Sequence, residues 1–144
     1  MVKSIMKSGS ILVHKLVLMI VVLPLIAISC SRNLPNKASS TTFTAGNETE
    51  LREGAARVNE FREELPSSGF RIVSTANSNL WEQVTLKGDY GELKDVEVVL
   101  QIGKQLEMKE PHLSASLRAY VAGKAAEQEF ARLDARLKTA IQGK

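Results

Sequence analysis

The residue types that carry nucleophilic, acid–base or metal chemistry are scarce in this chain of 144 residues. It has one cysteine, Cys30, and two histidines, His14 and His112. A nucleophile needs an adjacent base, and a zinc site needs three or four ligands; these residues form no such motif. Carboxylate pairs such as Glu63 and Glu64 fit solvated helix faces. We therefore predict no catalytic residues, no metal site and no enzyme.

One stretch of the chain is strongly apolar. Residues 16–29 carry no charge and are followed directly by Cys30. This stretch is shorter than the roughly 20 apolar residues of a membrane-spanning helix, and Lys3, Lys7 and Lys15 precede it. That pattern is typical of a cleaved signal peptide. An ordinary secretory signal and an uncleaved anchor, which would make a single-pass membrane protein, are the alternatives.

The residues before the cysteine resemble the lipobox of bacterial lipoproteins. They are Leu25 and Ala27-Ile28-Ser29, with Ala27 where that family usually has leucine. The resemblance implies that the Cys30 thiol receives a diacylglyceryl group, that the chain is cut before it, and that this covalent lipid is its only prosthetic group. It also implies a membrane anchor in the bacterial cell envelope. If the organism is Gram-negative, Ser31 in place of aspartate implies the outer membrane, with the domain facing the periplasm or the surface.

The net charge falls to zero when the residues before Cys30 are left out of the count. The formal net charge is +3, from 19 basic and 16 acidic residues. Lys3, Lys7 and Lys15 all precede Cys30, so 19 − 3 leaves 16 basic residues against 16 acidic ones. A nucleic-acid-binding domain would carry a basic face, and we predict no nucleic acid partner.

Composition divides the chain into three parts: a signal peptide at residues 1–29, the lipidated cysteine and a flexible tether at residues 30–46, and a small domain at residues 47–144. Residues 31–46 are rich in Ser, Thr and Asn and lack periodic apolar residues, which is typical of a tether. The alternative is an irregular segment that packs on the domain through Phe43.

The domain begins with a predicted helix. Asn47 followed by Glu50 resembles a helix start, and apolar residues then recur at helical spacing until Pro66 ends the pattern. Residues 70–75 and 80–87 predict two strands, the second with Leu80, Val84 and Leu86 facing the core.

Residues 92–108 favour a third strand because apolar residues alternate there with polar ones. A helix over the same residues is the competing interpretation.

A long C-terminal helix is predicted from Pro111 onward, since proline suits the first helical turn. His112 is then an ordinary surface residue. One apolar stripe runs the length of this helix, while Leu113, Leu117 and Tyr120 lie on a second face that would contact the first helix or a partner. The stripe consists of Ala115, Ala119, Ala122, Ala126, Phe130, Leu133, Leu137 and Ile141.

These elements predict an α+β domain with the order helix, three-stranded antiparallel sheet, long C-terminal helix. We expect a binding or scaffold module that serves a protein partner in the envelope, with Trp81 and Tyr120 as candidate contact residues. For Trp81 the alternative is a ring that covers the edge of the sheet. A small inhibitor or immunity-type protein that blocks a hydrolase is the main alternative function.

Overall fold

The computed structural model describes residues 36–107 and 109–144. The elements are β1 (Asn36–Phe43), α1 (Glu48–Glu64), a short 3-10 helix (Leu65–Ser68), β2 (Arg71–Asn77), β3 (Trp81–Tyr90), β4 (Leu93–Gly103), β5 (Leu113–Tyr120) and α2 (Lys124–Gln142). The strands form one antiparallel sheet in the order β1-β5-β4-β3-β2. The predicted α+β class is confirmed, but the sheet has five strands where three were predicted.

The predicted signal peptide, Cys30 and the first residues of the predicted tether lie outside the described residues. Within residues 36–107 and 109–144, neither α1 nor α2 is both long and apolar enough to cross a membrane.

The core lies between one face of the sheet and the two helices. Strand residues point alternately to opposite faces, and on β4 the even positions from Val96 to Ile102 are buried. From the helices, Val58, Leu133 and Leu137 meet them with no exposed surface. At Gly54 on α1, an added Cβ would lie 2.5 Å from Leu113 Cδ1. The small residue therefore lets the helix lie close against β5.

The first helix forms as predicted. Asn47 is its N-cap, and the Asn47 side chain accepts a hydrogen bond from the Glu50 N–H at 2.9 Å. The Glu50 carboxylate accepts one in return from the Gly46 N–H at 2.8 Å. After Pro66 the chain turns at Gly69, whose φ of 98° favours glycine.

The strand predictions for the middle of the chain are confirmed, except that the strand predicted over residues 92–108 ends at Gly103. β2 and β3 form the expected hairpin, and β4 is a strand rather than a helix. Val84 and Leu86 are buried as expected. Leu80 was wrongly placed in the core: it lies in the turn before β3 and is 42% exposed.

The tether prediction is wrong for residues 36–43, which form the edge strand β1. β1 lacks alternating apolar residues because some of its residues that face the helices are polar and form hydrogen bonds with side chains of α2. Ser39 Oγ donates to the Asp134 carboxylate, and Gln142 Nε2 donates to Thr41 Oγ1 at 3.1 Å. A strand held by such pairs carries no hydrophobic period that a sequence scan could detect.

The predicted long C-terminal helix is also wrong in its first half. Residues 113–120 form β5, and the helix begins only at Lys124. Leu113, Ala115, Leu117 and Ala119 alternate inward on β5, yet alanines four residues apart also match a helical stripe. Gly123 separates the two elements with a φ of 89°.

His112 is buried, with only 3% of its surface exposed, and is not the surface residue that was predicted. Its Nδ1 accepts a hydrogen bond from the Ala45 N–H at 3.0 Å, and Nε2 lies 3.2 Å from the Leu106 carbonyl oxygen. Because Nδ1 accepts a hydrogen bond, the ring proton is on Nε2, which donates a hydrogen bond to the Leu106 carbonyl oxygen. The imidazole thus joins the end of β1 to the β4–β5 connection.

Candidate functional site

The face of the sheet opposite the helices is formed mainly by polar side chains. We call it the uncovered face. It is formed by the residues of all five strands that point away from the helices, and no other element packs on it within the described part of the chain. The cross-strand partners form three rows. The rows are Ala38–Arg118–Glu97–Lys87–Arg71, Ser40–Ser116–Val99–Thr85–Ser74 and Thr42–Ser114–Gln101–Gln83–Ala76.

The three rows differ in charge. The first is charged, and within it Lys87 Nζ and a Glu97 carboxylate oxygen lie 2.8 Å apart. The second and third contain hydroxyl and amide side chains that hydrogen-bond without carrying charge. A shallow depression of about 280 Å³ lies beside β1, with Ser40, Ser116 and Arg118 in its lining. The uncovered face therefore suits polar recognition more than burial of an apolar ligand.

Trp81 and Tyr120, the predicted contact residues, both take positions on the uncovered face but at opposite ends of it. Both are half-buried. On β4, the cross-strand partner of Trp81 is Gly103 and that of Tyr120 is Lys94. These partners are nine residue steps apart along β4, which corresponds to about 30 Å. The two aromatic residues therefore do not form one contact site.

The turn that precedes Trp81 is closed by several hydrogen bonds. The Ser78 N–H donates to the Trp81 carbonyl at 2.8 Å, and the Trp81 N–H donates to Ser78 Oγ at 3.1 Å. Lys104 supports the same turn, because its N–H donates to the Leu80 carbonyl at 2.8 Å and its Nζ donates to the Ser78 carbonyl at 3.1 Å. Trp81 is thus presented from a fixed backbone.

A groove of about 870 Å³ lies at the Trp81 end, between α1 and the β4–β5 connection. Leu51, Ile102 and Leu106 supply its apolar lining, and charged residues such as Arg52 border it. Asn59 also lines it, and its Oδ1 is buried without a hydrogen-bond partner among the described residues. Nothing in the sequence indicated this groove, because its walls come from two distant segments.

A smaller groove of about 410 Å³ runs between the two helices. Arg136 spans it: its guanidinium binds the Glu64 carboxylate at 2.7 Å, donates to the Tyr90 hydroxyl at 3.2 Å and lies 5.5 Å from the centre of the Phe61 ring. The groove is therefore bridged by a structural arginine.

Asp134 connects β1 to α2 and has a perturbed pKa. Burial raises the pKa of this carboxyl, but hydrogen bonds from Lys138 and Ser39 lower it, and the net pKa lies below the ordinary aspartate value. The Lys138 ammonium lies 2.7 Å from it. This arrangement holds the edge strand β1 against α2.

Residues 36–107 and 109–144 bring no three His, Cys, Asp or Glu side chains into a group that could hold a metal ion. Both ring nitrogens of His112 contact backbone groups, so its hydrogen bonds activate no side-chain nucleophile. Cys30, the predicted lipidation site, lies outside the described residues.

Comparison with known proteins adds no family: the chain matches no protein-family model, no curated protein and no solved structure.

Proposed function

We propose that this chain is a lipid-anchored lipoprotein of the bacterial envelope whose domain acts as a binding or scaffold module for an envelope protein partner. The observation that carries the proposal is the uncharged stretch at residues 16–29, preceded by lysines and followed by the only cysteine. Two or more acyl chains on one residue give a stable membrane anchor, whereas a single chain binds only marginally. In a Gram-negative cell we place the anchor in the outer membrane.

The binding role draws support from the uncovered face. Within residues 36–107 and 109–144, the helices cover one side of the five-stranded sheet, and no element covers the hydroxyl, amide and charged rows on the other side. Trp81 stands at one end of this face, and tryptophan is enriched at the centres of protein interfaces. We propose Trp81 as a contact residue for the protein partner.

Intact mass of the membrane-extracted protein tests the anchor, with Cys30→Ser as the matched variant. We expect the wild-type chain to lack residues 1–29 and to carry added acyl mass. The variant should keep its leading segment and carry no lipid. A full-length, unlipidated wild-type chain would contradict the proposal and favour an uncleaved membrane anchor.

A second candidate function, a small inhibitor or immunity-type protein, is favoured by the free edge of β2. All seven residues of β2 are exposed. The exposed large hydrophobic residues of the described chain lie in this one hairpin: Ile72 at 55%, Val73 at 43% and Leu80 at 42%. An exposed edge of this kind can pair with a strand of another protein.

This candidate predicts a tight one-to-one complex with an envelope hydrolase, and titration calorimetry against purified hydrolases measures it. Val73→Lys should weaken the complex strongly because it places a charge on the pairing edge. Thr42→Lys on the opposite edge strand is the matched control and should leave the affinity unchanged. Equal loss in both variants would contradict pairing through β2.

A further inference from the structure

The distance between the proposed anchor and the folded domain is short. A tether over residues 31–46 would reach about 50 Å when fully extended. Because β1 already begins at Asn36, only residues 31–35 separate it from Cys30. The six steps from Cys30 to Asn36 span at most about 20 Å. If the lipid anchor proposed above is present, on which this inference rests, the start of β1 stays close to the membrane.

The start of β1 is a corner of the sheet, because β1 is an edge strand. Asn36 pairs with Tyr120, and Tyr120 pairs with Lys94. The first residue of α2, Lys124, follows four residues after Tyr120. We call the end of the sheet that carries Asn36, Lys94 and Tyr120 the proximal end. Trp81 lies at the other end of the sheet, about 30 Å away along the strands.

Three cations lie near this corner. Lys37, Arg118 and Lys124 are exposed, and none forms an ion pair with an acidic residue in the described part of the chain. Lys37 faces the helix side of the sheet, where its Nζ lies 5.3 Å from the centre of the Phe130 ring. Arg118 shares the uncovered face with Tyr120, and Lys124 begins α2.

Several acidic residues near the proximal end are already engaged. Lys94 Nζ lies 3.1 Å from the Asp89 carboxylate, and Lys87 Nζ lies 2.8 Å from that of Glu97. The Glu129 carboxylate accepts a hydrogen bond from the Glu92 N–H. The exposed carboxylates of Glu92 and Asp95 lie in and beside the β3–β4 turn, on the side of this end away from β1. Beside Lys124, the exposed carboxylate of Glu127 in the first turn of α2 offsets one of the three cations, so the β1 corner keeps a net positive charge.

We propose that the anchored domain lies on the membrane through this corner, with Lys37, Arg118 and Lys124 against the phosphates of phospholipid headgroups. Tyrosine suits the boundary between headgroups and water because its ring is apolar and its hydroxyl is polar. Tyr120 is then a lipid contact and not a protein contact. This orientation holds the Trp81 end away from the bilayer, where a partner from solution can reach it.

The chain contains one cysteine and one tryptophan, which makes the orientation measurable without a fluorescent label on the protein. The core is built from residues between Phe43 and Ile141, so a chain of residues 30–144 keeps all of it. Its Cys30 thiol is coupled to a maleimide lipid in vesicles that contain phosphatidylglycerol. Spin-labelled headgroups then quench any indole that lies near them. Because the coupling is chemical, the result does not depend on whether cells lipidate Cys30, which the intact-mass experiment tests separately.

Two chains are compared: the wild type, with its tryptophan at position 81, and the double variant Trp81→Phe/Tyr120→Trp. We expect a several-fold larger loss of emission in the double variant than in the wild type. Matching circular dichroism spectra and melting temperatures verify that both are folded. Equal quenching of the two chains, or stronger quenching of the wild type, would overturn the orientation.

The cations are tested in the double-variant background with Lys37→Glu, Arg118→Glu and Lys124→Glu combined. We expect the quenching to fall several-fold. Arg52→Glu combined with Lys109→Glu, two exposed residues at the far end of the domain, is the control and should leave the quenching unchanged. Unchanged quenching in the triple variant would overturn the assignment of these cations to lipid phosphates.

Discussion

The two faces of the sheet are built from the same strands, because successive residues of a strand point to opposite faces. The two faces differ in burial. Toward the helices, β4 presents Val98 and Leu100, which have no exposed surface. On the opposite face the neighbouring positions are Val99 and Gln101, both half-buried. Buried apolar area is the main favourable term in folding. The helix side therefore supplies most of the stability, and the uncovered face is free to vary with function.

Breaking the helix side should have the largest effect. Leu133 on α2 has no exposed surface, and Leu133→Asp would place an unpaired carboxylate in the core at a cost of more than about 4 kcal/mol. We expect loss of the cooperative unfolding transition in circular dichroism. Arg132→Asp on the exposed side of the same helix should keep that transition. A stable, soluble Leu133→Asp protein would mean that the apolar stripe of α2 lies at a partner interface and not in the core.

A pair of adjacent valines sharpens the comparison between the two faces. Val98→Ala removes two buried methyl groups and should lower the free energy of unfolding by about 2 kcal/mol. Val99→Ala makes the same chemical change on the uncovered face, and we expect less than about 1 kcal/mol there. Urea denaturation measures both. Equal losses would mean that the uncovered face is also packed.

Acid should weaken the contact between β1 and α2. Because the pKa of Asp134 is lowered in the folded state, its charge stabilises the fold above the ordinary aspartate pKa. That contribution is lost as the pH falls through the lowered value. We expect Asp134→Asn to flatten the pH dependence of stability below about pH 4, an effect smaller than about 1 kcal/mol.

Melting temperatures across this pH range measure the effect. Glu127→Gln is the control, since Glu127 is exposed on the same helix and forms no ion pair among the described residues. Parallel profiles for wild type and Asp134→Asn would contradict the role of this carboxylate.

A small effect on stability is also expected at Trp81. Trp81→Phe should change the free energy of unfolding by less than about 1 kcal/mol, because the ring lies half-buried at the end of the uncovered face. As a contact residue, Trp81 should emit at a solvent-like wavelength in the isolated domain and shift to the blue when the protein partner binds. Buried-type emission from the free domain would oppose the contact role.

Local patterns were sufficient for the elements between Asn47 and Gly103. The N-cap at Asn47 and the stop at Pro66 act within one helical turn, and the alternation in β4 reflects one buried face. Each of these is a short-range relation, so it can be predicted without knowledge of distant residues.

The edge of the sheet and the candidate sites depended on contacts between distant segments. β1 pairs with β5, and its inward polar residues are stabilised by Asp134 and Gln142. The groove at Asn59 and the burial of His112 likewise join segments far apart in the chain.

The sequence by itself determined the α+β class, the first helix, the central hairpin and β4. Only the tertiary structure decided that residues 36–43 and 113–120 are strands. The first segment lacks an apolar period, and the second fits both a helix and a strand until a partner strand is present. Strand pairing depends on hydrogen bonds to another segment, whereas helical hydrogen bonds are made within one segment. A strand whose partner is distant in the chain is therefore settled by the fold and not by its own residues.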